Sequence, residues 1–186
     1  TAVAERLGSH EKFAHALLHN NAGVVLLAAG DPTHARERLT TALSLAREVS
    51  GPGEVELAVV RTNLALVARD AAERERLYAE AITTLTARLG EDHPLTLDAR
   101  LAAAFSISDE DAARDALRPV CEQYAQLHPR YRAMIVECAF ELTVLDIAAG
   151  TIEDALASVT MALRAAGDES DPDRVAIARA YAALLA

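Results

Sequence analysis

The sequence is short of the residues that most folds use for large cores. It has no Trp, its aromatic fraction is 4%, and runs of β-branched residues are scarce. Apolar residues nevertheless make up 52% of the chain, and Ala and Leu dominate them. These two residues are strong helix formers, so the composition predicts an all-α protein. The 186 residues are enough for one domain with a substantial core.

Positive charge and long apolar runs are also scarce. The net charge of −10 argues against binding to nucleic-acid phosphates and against docking on an anionic membrane surface. No uninterrupted apolar run reaches the roughly 18 residues that a bilayer-spanning helix needs. Only two cysteines occur, Cys121 and Cys138, which is too few for a disulfide framework or a metal quartet. We predict that both are reduced and buried, in a cytoplasmic protein.

What the chain does contain is a recurring pair of apolar helices. Residues 21–29 are apolar almost throughout, Gly30 is a helix-ending residue, and Asp31 with Pro32 begins a second helix. Small residues at Ala22 and Gly23 predict a close approach of the second helix. We expect the first helix to start after Gly8 with Ser9 as its cap, the third to span about 54–69, and Pro119 to kink or restart the sixth.

A small–large–small stripe marks the second helix of each pair. Its last members are Ala42, Ala81, Val120 and Ala162, at intervals of 39, 39 and 42 residues. Landmarks on the first helices, Gly23, Ala65, Ala104 and Thr143, give intervals of 42, 39 and 39. We interpret the three-residue difference as a shorter loop in the middle units. A helix-pair period of this size predicts an α-solenoid.

These motifs resemble the tetratricopeptide repeat (TPR). Ala22-Gly23-x2-Leu26 followed by Ala35-x3-Leu39-x2-Ala42 is similar to its consensus, although the period is longer than the usual 34 or so. Residues 89–100, LGEDHPLTLDAR, resemble the entry segment of kinesin-light-chain-type repeats. We expect His93 in this segment to hydrogen-bond a helix end.

The resemblance implies one right-handed TPR superhelix over residues 1–186. We predict four helix pairs, at about 9–50, 53–90, 93–129 and 130–167, and a truncated helix at 171–186. Because the chain begins at Thr1 and stops within an apolar pattern, we expect it to be a fragment of a longer protein.

The concave face of such an array is the predicted site for a peptide. By helical phase its residues are Asn20, Val24, Leu27, Thr62, Leu66, Arg69, Leu101 and Phe105, with Phe140, Val144 and Ile147 further along. The resemblance adds Asn21 and Asn63. Phe105 and Phe140 could equally fill the core between units. The resemblance implies that Asn21 and Asn63 contact ligand backbone; Ala102 and Glu141 replace them later, so binding should favour the first half. Arg61 and Arg100 match an arginine of the family, and we favour pairing with a neighbouring helix for both.

The preferred function is a non-enzymatic scaffold that binds a peptide or partner protein within a bacterial signalling or regulatory protein. The resemblance implies a neighbouring signalling domain such as a Ser/Thr kinase, because bacterial proteins of the resembled type often carry one. The Arg-rich, Lys-poor composition suits a GC-rich bacterium. The alternative is a spacer or self-associating homodimer without a ligand. A third hypothesis, a helical hydrolase or metal protein using His10, His15 and His19, is disfavoured because no further ligand follows at metal-binding spacing. We predict no cofactor and no metal.

Overall fold

The computed structural model describes residues 2–48, 53–127 and 131–166, together with residues 176, 177, 179 and 183; the side chains of residues 2–9 and 166 are outside this description. Across this part the regular structure is helical and no strand occurs. The helices are α1 (Ala2–Ala28), α2 (Pro32–Arg47), α3 (Gly53–Ala65), α4 (Ala71–Leu89), α5 (Pro94–Phe105), α6 (Glu110–Ala125), α7 (Arg132–Ala148) and α8 (Ile152–Ala166).

The chain forms two compact units, residues 1–102 and 103–186. In the first unit α1 packs on α2, α3 packs on α4, and α3 also packs against α1 and α2. In the second unit α7 packs on α8 and against α6. The predicted helix after residue 173 lies mostly outside the described residues, although residues 176, 177, 179 and 183 are helical and Ile177 is buried with Ala139, Val159 and Ala162.

The repeat landmarks form the core. In the second helix pair the stripe position that corresponds to Ala35 is Arg74, and it is half-buried. Every other member of the stripe is buried, and so are all four first-helix landmarks. At Gly23 a Cβ atom would lie 2.6 Å from Leu39 Cγ and 3.3 Å from the carbonyl oxygen of Ala35. The predicted close approach of α1 and α2 is therefore confirmed.

The second and third helix pairs are shorter because their first helices are shorter, and not because their loops are. This corrects our prediction. α1 and α7 both continue five residues beyond their landmarks, Gly23 and Thr143, whereas α3 ends at its landmark, Ala65, and α5 one residue after Ala104. Gly30 and Gly150, which follow the longer helices, take positive φ. The N–H of Asp31 donates to the carbonyl of Leu26, and the N–H of Thr151 donates to the carbonyl of Asp146, so each helix ends in a Schellman cap.

Helix α3 stops at Ala65 and not near residue 69 because the segment after it has other partners. The carbonyl of Val67 accepts from Arg36 Nη1 at 2.6 Å, and the N–H of Arg69 donates to Glu73 Oε2 at 2.8 Å. Asp70 then caps α4 by accepting from the N–H of Glu73. These bonds satisfy backbone groups that another helical turn would have used.

Two other helix boundaries and the exposure of one predicted site residue differ from the predictions. α1 runs continuously from Ala2 to Ala28, so Gly8 does not end a helix and Ser9 does not cap one; a helical glycine costs only about 1 kcal/mol. α6 continues through Pro119, so the predicted restart does not occur. Leu101, predicted to face a ligand, is buried at 2% exposure.

The two cysteines are joined by a disulfide, which corrects the prediction that they are reduced. Cys121 on α6 and Cys138 on α7 are both fully buried, and their Cα atoms are 5.6 Å apart. The packing of α6 against α7 makes this pair, and a separation of 17 residues across two helices carries no such signal in the sequence. The argument for a cytoplasmic location from reduced cysteines therefore no longer holds.

The segment that resembles a kinesin-light-chain entry has a visible structural role. Gly90 turns the chain at φ 94°, and the Thr96 hydroxyl, buried in the first turn of α5, donates to the Gly90 carbonyl at 2.9 Å. His93 Nδ1 accepts from the N–H of Leu95 at 3.2 Å, which confirms its predicted bond to a helix end.

Replacing Thr96 with valine should lower the free energy of unfolding by about 1–2 kcal/mol, because the Gly90 carbonyl loses its buried donor. Urea denaturation followed by far-UV circular dichroism would measure it. Thr41→Val is the matched control, since the Thr41 hydroxyl is exposed and bonds only its own helix at Glu37. Equal effects of the two substitutions would contradict this role.

Candidate functional site

Three asparagines join into a chain of hydrogen bonds between α1 and α3. Asn63 Nδ2 donates to Asn20 Oδ1 at 2.8 Å, and Asn20 Nδ2 donates to Asn21 Oδ1 at 3.4 Å. Asn20 is only 8% exposed, Asn63 is half-buried and Asn21 is exposed. The predicted residues Asn20, Asn21 and Asn63 are therefore brought together, and Asn20 is mainly a link between the other two.

The direction of these bonds gives the two outer amides different hydrogen-bonding capacity. Asn63 uses a donor toward Asn20, which leaves its Oδ1 to accept. Asn21 uses its Oδ1, which leaves its two N–H groups to donate. A backbone peptide group offers one N–H and one C=O, so the pair presents one acceptor and one donor of the kinds that extended peptide requires.

Exposed apolar side chains follow the landmark in every unit. The residues one position after Gly23, Ala65, Ala104 and Thr143 are each between 41% and 56% exposed. They are Val24, Leu66, Phe105 and Val144. In residues 1–102, Val24 lies one helical turn after Asn20 and Asn21, and Leu66 lies one turn after Asn63. Apolar contacts are therefore beside the amides.

Leu66 and Arg69 also line an open groove of about 810 Å³ in the first unit, together with residues of α2 that include Thr33, Arg36 and Thr40. An ion pair holds one wall of this groove: Arg36 Nη2 lies 2.7 Å from Glu73 Oε1. The hydrogen bond from Arg36, followed by that from the Arg69 N–H, lowers the pKa of Glu73 below its ordinary value. The wall therefore keeps its charge pair at neutral pH.

The remaining predicted residues are less available. Leu27 and Thr62 are half-buried, and the Thr62 hydroxyl donates to the Ala58 carbonyl within its own helix. Phe140 and Ile147 are 41% and 45% exposed in the second unit. Arg61 Nε lies 2.9 Å from Glu80 Oε2 of α4, which agrees with our preference for a neighbouring helix.

Histidines and carboxylates do not assemble into a reaction centre in the described residues. No group of three or more His, Cys, Asp or Glu side chains there is arranged to hold a metal ion. His10 and His15 are exposed, and His19 is half-buried. In that same part of the chain, no helix has the length and apolar character needed to cross a membrane.

Sequence reasoning missed a buried ionic cluster in the second unit. Asp146 is fully buried; its carboxylate accepts from Arg118 Nη2 at 2.7 Å and from the Ser158 hydroxyl at 3.1 Å. The Thr151 hydroxyl donates to the Asp146 carbonyl. The available signal was one acidic residue inside the apolar stretch of residues 142–149.

Comparison with known proteins supports the fold. No family model matches the chain, and no curated protein matches its sequence. Among solved structures it resembles BtubC (BKLC) from P. vanneervenii, a kinesin-light-chain-like TPR-type protein, with a TM-score of 0.67 and 22% identity. The match covers 81% of this chain and 62% of that protein, so the chain spans under two thirds of its length. The predicted all-α helical-repeat fold is thereby confirmed.

Proposed function

We propose that this chain is a non-enzymatic interaction module that binds an extended peptide or a segment of a partner protein in its first unit. The observation that carries the proposal is the Asn63–Asn20–Asn21 hydrogen-bond chain, which presents an acceptor and a donor beside exposed Val24 and Leu66. The amides would pair with ligand backbone whatever its sequence, and the apolar side chains would select apolar anchors. Helical-repeat modules use extended surfaces in this way.

The wider setting is also part of the proposal. We place the module in a bacterial signalling or regulatory protein, beside a further domain such as a Ser/Thr kinase. The net charge of −10 supports a partner that is neither nucleic acid nor membrane and favours a ligand with some positive charge.

Substituting Asn21 and Asn63 together with alanine should weaken peptide binding by about tenfold to a hundredfold. Two hydrogen bonds to ligand backbone are lost, each contributing about 0.5–1.5 kcal/mol. The probe is a displayed library of random peptides, from which binders are enriched on the intact chain and their affinities measured by fluorescence anisotropy.

Gln126→Ala is the matched control, because it removes a side-chain amide at the C-cap position after α6 and leaves the asparagines unchanged. Asn63→Asp is a finer test: the new carboxylate cannot donate to Asn20 Oδ1, so binding should weaken although the residue keeps its size. A library that yields no binder would favour the alternative of a spacer without a ligand. Binders insensitive to both asparagines would contradict the proposed site.

A further inference from the structure

One side of α1 carries an exposed stripe of alternating small and large apolar residues. Leu18 and Val25 are its large members, at 66% and 67% exposure, and are more exposed than any other large apolar side chain of the described residues. Ala14 and Ala29 are exposed and Ala22 is half-buried. We call the set Ala14, Leu18, Ala22, Val25 and Ala29 the outer stripe. It lies beside Asn21, on the side of α1 away from Asn20 and its bond to Asn63.

The repeat position of Leu18 is buried wherever another helix precedes. Leu18 lies five residues before the landmark Gly23, and its counterparts in α3, α5 and α7 are Val60, Ala99 and Cys138. All three are at most 2% exposed. Ala99 packs with Ala81 and Leu85 of α4, and Cys138 is bonded to Cys121 of α6. This repeat position is therefore a helix-docking position, and in α1 it has the apolar character but is uncovered.

Two properties indicate what covers it. Residues 13–30 contain no Asp, Glu, Lys or Arg, although a quarter of the chain is charged and its net charge is −10. Two copies that meet through this helix would therefore bring no like charges together at the contact. A contact through an average part of this chain's surface would bring carboxylates of the two copies together. An uncharged helix makes self-association compatible with the strongly acidic composition.

The outer stripe is also complementary to itself. Under a two-fold axis passing near Asn21 and Ala22, Leu18 of one copy faces Val25 of the other, and Ala14 faces Ala29. Each large residue would then pack beside the small residues of the partner helix, and each contact occurs twice, as an isologous interface requires. Antiparallel α1 helices could approach closely because Ala22 is at the centre.

We propose that the outer stripe is a homodimer interface, in which α1 of one chain packs antiparallel on α1 of a second copy. The contact spans residues 14–29, of which residues 14–28 form roughly 22 Å of helix at about 1.5 Å per residue. Interfaces of this size belong to the small class typical of transient pairs, so the dissociation constant should lie in the micromolar range. Asn20 and Val24 lie on other sides of α1 and Asn63 lies on α3, so Asn21 is the one proposed peptide contact that is close to the dimer axis.

Sedimentation equilibrium over a wide dilution series tests the proposal. The unmodified chain should shift from monomer to dimer as its concentration rises, and Leu18→Glu with Val25→Glu should raise the dissociation constant by about a hundredfold or more, since four carboxylates would be buried per dimer. Because both side chains are exposed, far-UV circular dichroism should show an unchanged fold.

The matched control is Leu17→Glu with Val24→Glu, which places the same charges on the adjacent, asparagine side of α1 and should leave the dimer intact. Ala22→Cys should form an intermolecular disulfide on oxidation, whereas Thr41→Cys on α2 should not. A monomer at every concentration, a dimer unaffected by L18E with V25E, or no crosslink through Ala22→Cys would each overturn the proposal. The first of these would leave the outer stripe to a different occupant.

Discussion

Replacing Asp146 with alanine should lower the free energy of unfolding by about 3 kcal/mol. Removing one member of a buried ion pair commonly costs about 3–5 kcal/mol, because the partner charge is left without compensation. Arg118 is about one-third exposed and can still reach water, which places the estimate at the lower end. The Ser158 hydroxyl, almost fully buried, would lose its acceptor as well.

Thermal and urea denaturation monitored by far-UV circular dichroism would measure this effect. The loss should fall on the transition to which the second unit contributes, since Arg118, Asp146 and Ser158 all belong to it. Asp154→Ala is the matched control: its carboxylate is exposed and lies 3.8 Å from the same guanidinium, so its removal should cost less than about 1 kcal/mol. If the two alanine variants were equally stable, Asp146 would not be the centre of the cluster.

Replacing Gly23 with valine should cost about 3 kcal/mol. The new Cβ would lie 2.6 Å from Leu39 Cγ and 2.8 Å from Leu39 Cδ2, and the branched side chain adds two methyl groups in the same space. Overpacking of this kind typically costs about 1–3 kcal/mol. A gain of a few tenths of a kcal/mol in helix propensity from replacing glycine is too small to offset it.

A double-mutant cycle identifies the cause. Leu39→Ala alone should cost about 2–5 kcal/mol through the cavity it leaves, and valine at position 23 should refill part of that space. The double variant should therefore be less destabilised than the sum of the single effects. Ala28→Val, at an exposed position on the same helix, should change stability by less than about 1 kcal/mol. Additive effects at positions 23 and 39 would contradict the contact.

The repeat organisation was predictable from sequence because it depends on local period and side-chain size. Gly23 against Leu39 is an example: a small residue at a fixed distance from a small–large–small stripe is enough to predict a close helix pair. Helix ends were harder to predict. α3 ends at Ala65 because Arg36, 31 residues away, takes the carbonyl of Val67, and local patterns carry no information about such a partner.

The candidate site was predictable residue by residue but not as an arrangement. Helical phase and family resemblance selected Asn20, Asn21 and Asn63, yet their mutual bonding depends on the alignment of α1 with α3. Asn20 and Leu101 occupy the same repeat position, three residues before the landmarks Gly23 and Ala104, and both are buried. An outward prediction for Leu101 failed because this position lies at the edge of the helix face that packs inward.

Asp146 shows a different limit of sequence reasoning. Asp146 lies three residues after the landmark Thr143, and the equivalent residue of the first helix pair, three residues after Gly23, is Leu26. The repeat pattern therefore predicts an apolar residue at position 146. The charge is accommodated because Arg118 and Ser158 reach it from α6 and α8. Such a cluster requires three helices to be placed correctly before any of its members is recognisable.

The bond between Cys121 and Cys138 also bears on how this protein would respond to mechanical load. Helical-repeat chains stretched from their ends can lengthen by peeling one hairpin from the next, since each contact between neighbours is only non-covalent. Here α6 cannot separate from α7 while the sulfurs are joined, and the 16 residues between them are shielded from the applied tension. A reducing agent would return that length to the extensible part of the molecule.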